Sequence, residues 1–195
     1  PARGKIVVAV LSGGNIDDLN AWREYPNSNI TDGIHDPGQS WNALTVGACT
    51  QKTNITEPNT QAYQPIAPSG ALSPFSTTSV TWPNTPWPYK PDVVFEGGNA
   101  AQDAISPATM HSLSLLTTHH QPVERLVTTA NATSAASALC ARMAAQIMTQ
   151  YPHLWPETVR ALIVHSAEWT PQMKVDFLPA NPLKEHYAKL IRHVG

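Results

Sequence analysis

Apolar and polar positions divide the chain into short apolar runs separated by long polar stretches. Ile6 to Leu11 is an unbroken apolar run. Without alternation, such a run predicts a strand buried on both faces, here Lys5–Leu11 as an inner strand of a parallel sheet. It stops at Ser12-Gly13-Gly14-Asn15, where the glycines permit a tight turn or a close approach of backbone to ligand. Trp41 to Ala48 predicts a second strand. Lys90 to Phe95 predicts a third, ending at a second glycine-rich turn, Glu96-Gly97-Gly98-Asn99. Residues 16–41 and 50–70 are dominated by Asn, Asp, Thr, Gln and Pro and predict loops. The proline-aromatic stretch from Trp82 to Tyr89 is too stiff for helix. Leu113–Thr118 and Arg125–Thr129 predict two short strands, paired as a hairpin around Gln121-Pro122.

Helical spacing takes over near the end of the chain. After Ser134 a helix is predicted to about Gln150, stopped by Tyr151-Pro152 and kept thin by Ala136, Ala141, Ala144 and Ala145, so that it can lie deep against a sheet. Pro156 opens another helix, with Glu157 favourable in its first turn. Val159, Leu162, Ile163 and Ala167 follow i, i+3, i+4, i+8 and form one buried stripe, and Thr170-Pro171 ends the helix. Leu183 to Arg192 predicts a short amphipathic helix. A strand buried on both faces belongs to the parallel sheet of an open α/β fold. In such folds ligands bind at the carboxyl ends of the strands, where Asn15 lies.

Composition narrows this picture. The 195 residues suffice for one domain with a sizeable core. Only 13% of them are charged, against a usual share of about 25%, so much of the surface is covered by the chain's own core or by something else. The net charge of −2, with no basic run, offers no electrostatic footprint for nucleic acid. No apolar run approaches the ~20 residues of a membrane span. No signal peptide is present, but the chain opens at Pro1 rather than Met, so a missing leader decides little. Cys49 and Cys140 sit among small apolar residues and read as buried free thiols. No Cys/His spacing suggests a metal site. Asn29, Asn54 and Asn131 each begin an Asn-x-Ser/Thr sequon, which in so Asn/Thr-rich a chain reads as chance.

The candidate chemistry centres on Asn131-Ala132-Thr133-Ser134-Ala135-Ala136. A turn of small residues delivers a serine to the start of a long helix. Taken alone, the stretch reads as a helix N-cap. The same place suits a nucleophile, because unpaired N–H groups and the positive end of the helix dipole would meet an oxyanion formed beside Ser134.

Five stretches in order resemble the subtilisin-like serine peptidases, the subtilases. Val7 to Asn15 looks like that family's strand ending in Ser/Ala-Ala-Gly-Asn. Asn42-Ala43-Leu44-Thr45-Val46-Gly47-Ala48 is similar to its Asn-Ala-Ile-Thr-Val-Gly-Ala strand. Ser73-Pro74-Phe75-Ser76 and Lys90-Pro91-Asp92-Val93-Val94 resemble its Phe-Ser and Lys-Pro-Asp-Val segments, and Thr133-Ser134-Ala135-Ala136 resembles the Gly-Thr-Ser-x-Ala motif around its nucleophile. The likeness is greatest to bacterial members whose motifs read Lys-Pro-Asp-Val-Val-x-Glu-Gly-Gly-Asn and Pro-Glu-Thr-x-Arg-Ala-Leu-Ile-Val-His-Ser-Ala-Glu-Trp.

The resemblance implies a doubly wound, mostly parallel sheet flanked by helices, and a serine endopeptidase acting on polypeptides. In it Ser134 is the nucleophile and Asn15 the side-chain donor of an oxyanion hole. Ser12, Gly13, Gly14 and Thr133 line the substrate site. The family's Asp-x-Gly and His-Gly-Thr-His motifs, which carry the other catalytic residues, are missing. Residues 1–195 therefore read as the C-terminal portion of a catalytic domain, inactive alone. The alternative is a non-catalytic interaction domain on the same scaffold.

Two departures stand out. Ala132 occupies the family's glycine, and would be strained if that position needs positive φ. Ala138 replaces a proline. The segment between Asn99 and Ser134 is longer than in compact members. A chain lacking the first strands would leave the Lys5–Leu11 edge open, to be covered by the missing half or by another copy. No cofactor is expected. Family members often bind Ca2+, but no Asp/Glu cluster here has oxygen-ligand spacing. The lack of a disulfide pattern and the bacterial-looking motifs predict a cytoplasmic location, with secretion as the alternative.

Overall fold

The computed structural model describes residues 7–82 and 87–195. In chain order the elements are β1 (Val10–Ser12), α1 (Leu19–Arg23), α2 (Asn27–Thr31), β2 (Leu44–Thr50), β3 (Gln64–Pro65), β4 (Ala71–Leu72), β5 (Val93–Glu96), β6 (Ala100–Gln102), β7 (Pro107–Thr109), β8 (Leu115–Thr118), β9 (Val127–Ala130), α3 (Ala132–Gln150), α4 (Pro156–Ser166), α5 (Pro171–Phe177) and α6 (Lys184–Val194). The fold is mixed α/β.

The central strand is β2. It pairs in parallel with β1 (Val10 opposite Leu44) and with β5 (Val46 opposite Val93), and antiparallel with β4 (Cys49 opposite Leu72). Alternation along the strands sorts the two faces. Leu44, Val46, Ala48 and Val93 pack with Ala136, Cys140 and Ala144 of α3 and with Val159 and Ile163 of α4. Val94 and Cys49 instead support the cluster of Leu72, Met173, Leu190 and Val194, which brings α5 and α6 over β5. Helices thus cover both faces. The buried stripe of α3 runs through Ala136, Cys140 and Ala144 at intervals of four, the spacing that stacks side chains on one helix face. Ala141 and Ala145 are exposed, so of the four alanines that keep the helix thin only Ala136 and Ala144 lie in this stripe.

A buried ionic node ties the strands to α4. The Lys90 ammonium, 1% exposed, donates to the Asp92 carboxylate at 2.6 Å and to the Ala43 carbonyl at 3.0 Å. Asp92 also accepts the Thr45 amide at 2.7 Å and Arg160 at 3.2 Å. Four hydrogen bonds from three donors keep these charges satisfied away from water.

Several expectations change. Lys5 and Ile6 lie outside the described residues. Within them the first strand is only Val10–Ser12, with Val7 71% exposed and Ala9 exposed, so this strand is not covered on both faces as its run of apolar residues implied. The stretch 16–41, expected as loop, holds α1 and α2. Asp18 caps α1 by accepting the Asn20 amide, and Trp22 anchors it edge-on against Phe75. Thr170, expected only to end a helix, caps α5 by accepting the Met173 amide. The hairpin is present, β8 against β9 from Leu115–Ala130 to Thr118–Val127. Both cysteines are free, and burial pushes their thiols up, Cys49 to about 12 and Cys140 to about 11. Asn29 is fully buried, its amide donating to the carbonyls of Ser73 and Ser76, which explains its place in a sequon without any glycan. No described helix is long and apolar enough to cross a membrane.

Candidate functional site

Two chain segments more than a hundred residues apart meet where β1 ends and α3 begins. β1 delivers Gly13 and Gly14 to the sheet's edge, where the Gly13 amide donates to the Val46 carbonyl at 2.9 Å. The next residue, Asn15, turns its side chain to the start of α3. Its Oδ1 accepts the Thr133 amide at 3.0 Å and the Thr133 hydroxyl at 2.5 Å, while that hydroxyl also reaches the Gly14 carbonyl at 3.1 Å. Thr133 is fully buried and Ser134 exposed. The neighbouring residues of the motif therefore divide the work: Thr133 locks the turn to β1, and Ser134 faces outward.

This lock determines which donors stay open. With Oδ1 committed to Thr133, the Asn15 NH2 group points away from that bond and has no hydrogen-bond partner among the described residues. The Ser134 amide is one of the first N–H groups of α3, which lack an intrahelical acceptor; it too makes no hydrogen bond there. Ser134 Oγ is likewise unpaired among the described residues. One hydroxyl and two unpaired donors therefore meet at the positive end of a 19-residue helix.

The turn is held tightly. Ala132 adopts φ 64°, the left-handed region that costs a residue with a Cβ roughly 1–2 kcal/mol. Its amide donates to the Gly97 carbonyl at 2.6 Å, and its methyl is buried with Ile16, Trp22, Phe75 and Ala100. Those contacts offset the strain that the substitution for glycine imposes. Gly97 has no spare room: a Cβ there would lie 2.5 Å from that of Ala48 and 2.8 Å from the Ala132 carbonyl oxygen. The second glycine turn thus exists to let α3's first residue touch β2 and β5. Asn99 secures it from below, accepting the Ala67 and Ala100 amides and donating to the Lys52 and Ala67 carbonyls. The N-cap position, Asn131, makes no side-chain capping bond, so the stretch does more than cap a helix.

No histidine completes the group. His165 is exposed in the last turn of α4. His111 bonds Thr129 Oγ1 at 2.8 Å and has no carboxylate beside it. His119 and His120 lie ring to ring, tilted by 44°, past the far end of the β8–β9 ladder, about 13 Å of strand from Ala130 at roughly 3.3 Å per residue. Among the described residues only His35 has a carboxylate at ion-pair distance, Asp32 Oδ1 at 3.4 Å. His35 was not singled out by the sequence. It lies in a polar stretch without a motif, and only folding sets its ring over Gly14. Among the described residues no group of three or more His, Cys, Asp or Glu side chains could hold a metal ion.

The sequence model of the subtilase family (Peptidase_S8) matches residues 1–188. A curated relative, the uncharacterized protein y4bN of Sinorhizobium fredii (strain NBRC 101917 / NGR234), is 28% identical over 182 residues. The match covers 86% of this chain but only 42% of that relative, so the chain spans less than half the length of the protein it matches.

Proposed function

The chain belongs to the subtilase family, and from that premise we propose that it is the C-terminal portion of a serine endopeptidase domain whose nucleophile is Ser134. The observation that carries the reading is the bond from Asn15 Oδ1 to the Thr133 amide. It leaves the Asn15 NH2 and the Ser134 amide as free donors beside one hydroxyl.

The chemistry follows from these positions. Ser134 Oγ attacks the carbonyl carbon of a peptide bond, and its proton passes to a histidine base carried by a segment outside these residues. The carbonyl oxygen takes up negative charge between the two donors. The base returns the proton to the leaving amine, and water hydrolyses the acyl-enzyme. Ser12, Gly13, Gly14 and Thr133 border the groove for the residue preceding the scissile bond. The aspartate that orients the base would come from the same absent segment. The three parallel strands would continue beyond β1 into a doubly wound sheet, the added strands covering the edge left bare at Val7 and Ala9.

A fluorophosphonate probe on the full-length protein tests the reading. Labelling is expected at Ser134 and lost in Ser134→Ala. Asn15→Ala should slow peptide hydrolysis by about 10²–10³-fold, the usual loss for one oxyanion donor. An intact, folded protein that takes up no label would make the domain a non-catalytic interaction module. The 195 residues alone are expected to show no turnover, since nucleophile, base and orienting acid act as a unit.

A further inference from the structure

Against Gly14, at the border of the proposed substrate groove, lies a side-chain pair that no motif announces. Gly14 has φ 103°, and a Cβ there would meet the His35 ring at 2.5 Å from Cγ and 2.6 Å from Nδ1. The imidazole therefore lies directly on bare backbone at a position bordering the proposed substrate groove. The main chain holds it there: the His35 amide donates to the Gly13 carbonyl at 2.9 Å, and the Ile34 amide to the Thr78 carbonyl at 3.2 Å. From the ring's far edge Nε2 reaches Asp32 Oδ1 at 3.4 Å. The two side chains are about half exposed, 51% and 41%, and Asp32 Oδ2 has no partner among the described residues.

The order along the groove is thus Gly14 backbone, imidazole, carboxylate. A side chain running past Gly14 along the imidazole reaches the Asp32 carboxylate at the ring's far edge, where the cation of a lysine or arginine can pair with it. The surrounding charge has the same sign. Between residues 12 and 40 there are five carboxylates, Asp17, Asp18, Glu24, Asp32 and Asp36, and one guanidinium, Arg23. That guanidinium is turned away, donating to the Ala104 carbonyl at 3.1 Å.

Resting on the peptidase reading, we infer that this groove selects a basic residue, Lys or Arg, immediately before the scissile bond. Asp32 is the charge that receives it and His35 the positioning residue that sets Asp32 at that depth. A cation brought to a half-exposed carboxylate by a direct hydrogen bond gains enough to shift rates roughly tenfold. The open face of the ring offers a surface along which the aliphatic stem can lie.

The test uses the full-length protein and peptidyl phosphonates that differ only in the residue bonded to phosphorus. Arg and Lys probes are expected to label Ser134 about tenfold faster than Phe or Glu probes. Asp32→Asn is isosteric and lies on the surface, so the fold should persist. It should remove that advantage. Asp32→Lys should invert the order in favour of Glu. Faster labelling by Phe or Glu in the wild type, or an unchanged Arg preference in both variants, overturns the inference. The small fluorophosphonate has no such side chain and separates the two claims. If it labels Ser134 while the phosphonates show no preference, the substrate class falls and the peptidase stands. If it does not label, both fall.

Discussion

The two edges of the central sheet are treated differently by the same chain. Beside β5 the end of α6 closes in: the space a Cβ on Gly195 would need is already filled by the Asp92 carbonyl oxygen, 2.5 Å away, and Trp169 Nε1 donates to the Gly195 carbonyl at 2.7 Å. Behind it Met173, Leu190 and Val194 are almost fully buried. Beside β1 no further strand pairs among the described residues, Val7 is 71% exposed and Leu11 half-buried. Yet β1 has the longer apolar run. The difference teaches that the unbroken pattern of Ile6–Leu11 encodes burial that these residues do not themselves supply. The sparser pattern of α6 suffices because its partners are in the same chain. The candidate nucleophile sits on this less covered side, where β1 ends.

The largest expected effect comes from the node that joins the edges. Asp92→Ala strips the partner from a fully buried ammonium and should lower stability by about 3–5 kcal/mol in urea denaturation. A loss below 1 kcal/mol would mean Lys90 finds other company, and the edges are not coupled through it.

Next comes the direct comparison. Leu190→Ala, on the closed side, should destabilise by about 2–5 kcal/mol. Val7→Ala, on the bare side, should change the stability of the 195-residue chain by less than about 0.5 kcal/mol. In the full-length protein Val7→Ala should cost more than that. Equal and small effects in both settings would break the idea that another strand belongs there.

Proton uptake separates the sides as well. His193 on α6 is 1% exposed and stacks on Phe177 at 4.1 Å; its Nδ1 bonds the Lys189 carbonyl and its Nε2 has no partner. Burial pushes its pKa down to about 4; the Lys189 carbonyl opposes this and the Lys189 charge adds to it. The unfolded chain binds a proton there near the ordinary 6.5, so the native state is destabilised by acid. The contribution is intact above pH 6.5 and disappears as pH falls to about 4, a change of about 3 kcal/mol. Stability measured between pH 7 and 4 should show this slope, and His193→Gln should remove it. A slope that survives the substitution would assign acid sensitivity elsewhere.

The smallest effect concerns the strained turn. Ala132→Gly relieves a left-handed residue of roughly 1–2 kcal/mol while adding about 0.5–1 kcal/mol of backbone entropy. A net gain of about 0.5–1 kcal/mol in melting experiments is expected. A net loss would show that the alanine methyl, buried among Ile16, Trp22 and Phe75, has become part of the packing that holds Ser134 in place.

Legibility followed the range of the interactions. Short apolar runs bounded by turn residues, and helical spacing of small and apolar residues, located β2, β5, the β8–β9 hairpin, α3, α4 and α6, because each element's own residues carry that signal. The stretch 16–41 misled for the opposite reason. Trp22 earns burial for α1 through Phe75, a contact across more than fifty residues that no local window contains. Thr170 was visible as a stop, yet its hydroxyl caps the next helix, a role that depends on where the chain goes afterwards.

By itself the sequence determined the α/β class, the two glycine turns and a serine opening a long helix, since each depends on local propensity, steric permission or a nearby run of apolar residues. The tertiary structure alone decided that Asn15 Oδ1 meets Thr133 and frees its own amide, that Ala132 is left-handed, and that His35 lies on Gly14 with Asp32 behind it. Those are contacts of one or two atoms across tens to more than a hundred residues. Such contacts leave no periodic trace in the chain, because their geometry is set by how β1, β2 and α3 pack rather than by what stands next to them in sequence.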